Sequence, residues 1–159
     1  MMRPTIKRLQ PDDGHVMNDL LTMFGVAFND IETYTKRRPS ADYQRQLLAT
    51  DTFIALAALH DGEVIGGLVA YELKKFEQER SEIYIYDLAV AADHRRAGVA
   101  TALIAELRRV AADRGAYVIF VQADTGAEDA PAIALYEKLG IREEVLHFDI
   151  PVLDRDRTR

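Results

Sequence analysis

Glu82-Ile83-Tyr84-Ile85-Tyr86-Asp87-Leu88-Ala89-Val90 runs, after a short polar step, into Arg95-Arg96-Ala97-Gly98-Val99-Ala100. The first stretch alternates apolar and polar residues and predicts a strand. Beyond Gly98, Leu103, Ile104, Leu107 and Val110 recur on one face of a helix. A helix start presents unpaired backbone N–H groups and the positive end of the helix dipole. Gly98 lets an anion approach the backbone, and Arg95 and Arg96 add fixed charge. The strand, turn and helix therefore read as a pyrophosphate cradle. The lysine of a Walker-type loop and the three-glycine dinucleotide fingerprint are both missing, which argues against an NTPase and a Rossmann dehydrogenase. The competing reading is an ordinary strand–turn–helix with a solvated arginine pair.

Working outward, Ile6 to Leu9 predicts a short first strand. Asp12 and Asp13 can cap a helix whose stripe is Val16, Leu20, Phe24 and Phe28. Residues 29 to 41 are polar, and Ser40 is placed to cap a second short helix through Leu48. Phe53 to Leu59 is almost wholly apolar and predicts a buried strand. Asp61-Gly62 signals a hairpin turn into a returning strand, Val64 to Leu73. Gly66 and Gly67 mark a bulge or a close backbone approach in that strand. Lys74 to Arg80 is a charged loop. Gly115 closes the signature helix, and Tyr117 to Ala123 predicts another buried strand. Pro131 opens a helix ending at Gly140, and residues 141 to 150 supply a last strand. A hairpin meander followed by a strand–helix–strand unit implies a mixed α/β sheet.

The chain has 159 residues, a length that predicts one domain, with a core over about residues 5–150 and a charged tail over 151–159. Its net charge of −6 disfavours nucleic acid and suits a cationic substrate. With no cysteine, disulfides, thiolate metal sites and a cysteine nucleophile are excluded. His15, His60 and His94 show no metal-ligand spacing, and no metal is expected. The amino terminus lacks an apolar signal core, and no apolar run is long enough to span a bilayer, so the expected location is the cytoplasm and no membrane partner is expected.

The spacing Arg-x-x-Gly-x-Ala at Arg95 to Ala100 resembles the coenzyme A signature of the GNAT acetyltransferases. Longer blocks carry a closer resemblance, to the aminoglycoside 3-N-acetyltransferases of the first type, the gentamicin-modifying enzymes. These are Thr52 to Ala58, Lys75-Phe76-Glu77-Gln78, Ser81 to Val90, Gly115 to Ile119 and Val121 to Asp124. The last are Ala134-Leu135-Tyr136-Glu137-Lys138-Leu139-Gly140 through Val145, and His147 to Ile150. The similarity runs from about Ile6 to Ile150 and departs mainly in the amino-terminal segment and the tail.

The resemblance implies a GNAT acyltransferase fold, with a central, mostly antiparallel sheet splayed near the cofactor and flanked by helices. It implies transfer of acetyl from acetyl-coenzyme A to the 3-amine of the deoxystreptamine ring of a polycationic aminoglycoside, giving resistance. A homodimer is expected by the same analogy. Two readings compete: a GNAT enzyme acetylating another primary amine, such as a polyamine or a protein N-terminus, and an acyl-coenzyme A sensor without turnover.

Without a cysteine, direct attack in a ternary complex is the simpler route. Asp87 is the candidate base or ammonium anchor, because it ends an alternating strand and precedes Leu88-Ala89-Val90, whose backbone should run beside the pantetheine arm. A bulge near Asp87 and Leu88 would free a backbone amide for the thioester oxygen. Arg95, Arg96, Ala97, Gly98, Val99, Ala100 and Thr101 would hold the phosphates. Tyr136 resembles the family's proton donor to the thiolate, or is a core aromatic. Candidate contacts for the aminoglycoside are Glu82, Tyr86, Asp124, Glu143, Glu144 and Asp149, any of which could instead be solvated. His147 could be a second base or a packed group.

Overall fold

The computed structural model describes residues 3 to 153. It forms two compact units, one through Gln122 and one from Ala123. The first holds a five-stranded sheet in the order β1-β2-β3-β4-β5. The strands are β1 Thr5–Arg8, β2 Phe53–His60, β3 Glu63–Lys74, β4 Ser81–Val90 and β5 Ala116–Val121. The first four pair antiparallel, and β5 lies parallel to β4. The helices are α1 Gly14–Ala27, α2 Ala41–Ala49 and α3 Val99–Arg114.

The apolar run of β2 is buried along both faces because helices cover both sides. Phe53, Ala55 and Ala57 pack into a core with Val16, Leu20, Phe24 and Leu48 from α1 and α2. Ile54, Leu56 and Ala58 point the other way. Their partners across β3 are Ala70, Leu68 and Gly66, and α3 covers that face with Leu103 and Leu107, both fully buried. The two adjacent glycines let the helices approach closely. A Cβ on Gly66 would stand 2.9 Å from Val99 Cγ1 of α3, and one on Gly67 would collide with Leu20 of α1. Both are close-approach glycines. The bulge in the β2–β3 pair lies beside them on β3, at Ile65 between Val64 and Gly66.

Other local signals act as read. Asp61 and Gly62 both take positive φ, 50° and 79°, in the two-residue turn between β2 and β3. Ser40 Oγ accepts the N–H of Tyr43 at 3.1 Å and caps α2. Gly115 closes α3 at φ 75°.

Two expectations are corrected. Asp13 stands at the N-cap of α1 but does not cap it. Its carboxylate turns back to accept the N–H of Gln10 at 2.7 Å and to pair with Lys7 at 2.9 Å. In the polar stretch after α1, Glu32–Lys36 coils into one π-helical turn. In the second unit, α4 Ala130–Leu139 has proline in its first turn as expected, but residues 141 to 153 form no strand. The apolar residues there, among them Ile141, Phe148 and Ile150, are exposed. A strand needs a ladder partner to satisfy its backbone, and these residues pair with no strand.

Candidate active site

The site grows from one extra residue in β4. Ile83 and Ile85 are buried. Ile85 pairs with Ala70, but the next pair is Asp87 with Val69, so Tyr86 is a β-bulge. Without it, Asp87 would follow Ile83 and Ile85 into the face covered by α3. The bulge reverses the alternation and sets Asp87 on the α1 face, beside Val69. The expected bulge near Asp87 is thus present, one residue earlier.

Asp87 is half-buried, and burial pushes its carboxyl above the usual carboxylate range. One group opposes that shift. Tyr34, in the π-helical turn, donates its hydroxyl to Asp87 Oδ2 at 2.9 Å. Tyrosines surround the pair. Tyr86, 60% exposed, meets Tyr71 edge-on at 5.8 Å and Tyr84 at 5.9 Å. Tyr84 stacks on Phe120 of β5 at 4.7 Å and donates to Gln122. The sequence gives little sign of Tyr34, which lies in a polar stretch 53 residues before Asp87. The available signal is an isolated aromatic in a mostly polar segment.

The strand edge beside Asp87 is open. β4 stays paired to β3 as far as Val90 with Gly66, but its parallel ladder to β5 stops at Ile85 with Val121. Leu88, Ala89 and Val90 therefore have backbone paired on the β3 side and no β5 partner. An extended amide chain such as a pantetheine arm can pair with such an edge. Past it, Ala92–His94 makes a 3₁₀ turn, Arg96 takes φ 62° and Gly98 takes φ 81° as the N-cap of α3. No side chain caps this helix start, and a Cβ on Gly98 would meet nothing within 4 Å. The N–H groups of Val99, Ala100 and Thr101 thus lie in the first turn beside open space, a donor set that fits a pyrophosphate. Ala97 links the two left-handed residues. Arg95 is held by its Nε donating to Val90 O at 3.1 Å. A cavity of about 590 Å³ between α1 and the β2–β3 turn reaches Arg95 but is not lined by Asp87 or Tyr34.

Glu82 sits five residues before Asp87, roughly 16 Å along an extended strand. Its carboxylate accepts from Tyr117 and lies 3.5 Å from Lys75. It is therefore engaged at the far end of β4. In the second unit, Asp124 donates its N–H to Asp129 at 2.8 Å. Glu144 pairs with Arg142 at 3.2 Å, Glu143 is exposed, and Asp149 holds His147 at 2.8 Å. Tyr136 lies on α4, and burial followed by the charge of Asp129 raises its hydroxyl pKa. It stays protonated at neutral pH, the state a proton donor needs. Among the described residues, no cluster suits a metal ion and no helix is long and apolar enough to cross a membrane.

Comparison with known proteins gives a consistent picture. Residues 16–141 match the model of the acetyltransferase (GNAT) family. An aminoglycoside acetyltransferase from an uncultured soil metagenomic sample is 67% identical, over 96% of this chain and 100% of its own, with a TM-score of 0.94. A second such enzyme, also from an uncultured soil metagenomic sample and solved with sisomicin, is 28% identical over 94% of this chain and 97% of its own, at a TM-score of 0.85. A ribosomal-protein-alanine N-acetyltransferase from Brucella melitensis biovar Abortus 2308 is 26% identical over 94% and 99%, at 0.72. No curated protein matches the chain. The splayed mixed sheet, the uncapped glycine start of α3 and the family match over 16–141 lead to one conclusion: this chain belongs to the GNAT acetyltransferase family.

Proposed function

We propose that the protein is an aminoglycoside N-acetyltransferase that moves acetyl from acetyl-coenzyme A to the 3-amine of the deoxystreptamine ring of gentamicin-like substrates. The observation that carries the chemistry is Asp87, a half-buried carboxylate at the point where β4 loses its β5 partner. The 67% identical aminoglycoside acetyltransferase supports the substrate class, and the sisomicin-bound relative supports a deoxystreptamine ligand.

The amine nitrogen attacks the thioester carbon, and its proton passes to Asp87. The developing oxyanion is assigned to the backbone amide of Leu88, on the open edge. The carbon–sulfur bond then breaks, and the thiolate takes a proton, with Tyr136 as the proposed donor. Burial raises the proton affinity of Asp87, which makes it a better base than an exposed aspartate. The phosphates are assigned to Arg95, Arg96 and the start of α3. A polycation suits a carboxylate rimmed by tyrosine rings, which attract cations through their faces.

A second reading, acetylation of a protein N-terminus, draws support from the 26% identical ribosomal-protein acetyltransferase. The deciding experiment incubates the protein with acetyl-coenzyme A and either gentamicin or N-terminal peptides, then locates the acetyl group by NMR and mass spectrometry. Acetyl on the 3-amine upholds the proposal. Acetyl on another ring amine removes the 3-position, and reaction with peptides alone removes the aminoglycoside.

A further inference from the structure

We propose that Tyr34 is a positioning residue for acetyl transfer: by donating to Asp87 Oδ2 at 2.9 Å, it keeps this carboxylate ionised and fixed while the second oxygen remains free for the amine proton. The inference rests on reading Asp87 as the base.

The geometry carries the claim in three steps. First, a phenol facing a carboxylate can only donate, and such a bond favours the ionised acceptor. Among the described residues no cation pairs with Asp87, so the counterweight to its burial comes from Tyr34. The other titratable groups around the pair are Tyr71 on β3, Tyr84 and Tyr86 on β4, and Asp30 ahead of the π-helical turn. None of these side chains can carry a positive charge, so none supplies the favourable partner that Tyr34 does.

Second, the seat of Tyr34 is built. Asn29 takes φ 52° and ends α1, and the N–H of Asp30 reaches back to Gly25 O at 2.8 Å. Gly25 makes room for the turn, since a Cβ there would stand 3.3 Å from Tyr34 Cβ and 3.4 Å from Ile31 Cα. The Tyr34 ring then packs at 6.0 Å from Phe24 and 5.6 Å from Phe28. A ring held on one side by two aromatics and on the other by Asp87 has little rotamer freedom left.

Third, Tyr34 keeps its proton. Burial, then the charge of Asp87, raises its pKa well above neutrality. It is a donor wherever Asp87 is ionised and does not compete to be the base. When the amine proton moves to Asp87, the phenol hydrogen stays on Tyr34, so the step balances with one proton transferred.

The test measures kcat/KM against pH for the full chain carrying Tyr34→Phe, with acetyl-coenzyme A saturating and gentamicin varied. The removed bond lowered the Asp87 pKa, so its loss raises that pKa. The acidic limb should move to higher pH, with a loss of about tenfold on that limb and a smaller one above it. Gly25→Ala, which crowds the seat but keeps the hydroxyl, should shift the limb the same way by less, and it carries the test if Tyr34→Phe fails to fold. In an Asp87→Asn background, Tyr34→Phe should cost nothing further. A uniform loss at every pH with an unmoved limb, in a folded Tyr34→Phe protein, overturns the proposal and leaves Tyr34 as a structural tie. If Asp87→Asn itself keeps normal turnover, the reading of Asp87 fails and takes the Tyr34 proposal with it. A large loss in Asp87→Asn beside an unmoved Tyr34→Phe limb overturns the Tyr34 proposal alone.

Discussion

Gly67→Ala adds one methyl group at the tightest point between α1 and the sheet. The new carbon would overlap the Leu20 side chain and lie 3.2 Å from Leu56 O and 3.3 Å from Leu20 Cγ. Carbon pairs rest comfortably at about 3.5–4.0 Å. Leu20 is fully buried, in a cluster with Val16, Met17 and Phe24, so its side chain has no free space to turn into. Overpacking of this kind costs about 1–3 kcal/mol. Replacing a strand glycine returns about 0.5–1 kcal/mol through lost freedom of the unfolded chain. The net expectation is a loss of about 1–2 kcal/mol, or a Tm lower by about 2–8 °C for a chain of this size. Leu20→Ala alone should cost about 2–5 kcal/mol by leaving a cavity. In the double variant the methyl added at position 67 enters that cavity, so the double should be no less stable than Leu20→Ala. Urea denaturation of the four proteins closes the cycle. Additive losses, or a Gly67→Ala protein with unchanged midpoint, would refute the packing argument.

Other outcomes follow from the same structure. Asp87→Asn should lower kcat/KM by about 10²- to 10⁴-fold while acetyl-coenzyme A affinity, measured by calorimetry, barely changes. Gly98→Glu should abolish coenzyme A binding; no protein atom lies within 4 Å of the added Cβ, but φ 81° is strained for any L side chain, so the variant should also lose about 1–2 kcal/mol of stability. Asp13 is held below the usual carboxylate range by Lys7 and then by the N–H of Gln10. That stability is present above its unfolded pKa of about 3.9 and is lost as pH falls through the lower folded value. Asp13→Asn should therefore be less stable than the parent near neutrality, and the gap in urea midpoints should close on acidification. Glu72 joins Ser81 at 2.6 Å and Arg114 at 2.7 Å, all at the end of the sheet away from Gly98. Glu72→Ala leaves the Arg114 guanidinium with Asp51 alone and Ser81 Oγ without its acceptor, and should cost about 1–3 kcal/mol in chemical denaturation.

Much of this arrangement is legible in the chain because its devices are local. The Asp61-Gly62 turn, the Ser40 cap and the αL glycine at 115 depend only on neighbouring residues, and each forms as read. The α3 start is equally local. Asp87 can be picked out at the end of its alternating strand, but the alternation itself points it into the α3 face. What turns it toward α1 is the extra residue at Tyr86, whose place is set by pairing with β3. Tyr34 is hidden for a similar reason, since its meaning lies in a contact 53 residues away. The segment after Gly140 misleads in the opposite direction. A segment's own residues do not supply the partner whose N–H and C=O groups make a strand.

The open edge at Leu88, Ala89 and Val90 has a consequence for how such a protein can drift in evolution. A strand edge offers N–H and C=O groups that every residue except proline carries in full. The side chains at these positions answer to the protein interior, with Leu88 opposite Leu68, Ala89 opposite Gly67 and Val90 opposite Gly66. Exchange among small and medium aliphatic residues there leaves the hydrogen-bonding face of the edge intact. A saturation library over the three positions should tolerate many such replacements and reject proline, so that the hydrogen-bonding pattern of the edge persists while the letters that encode it change.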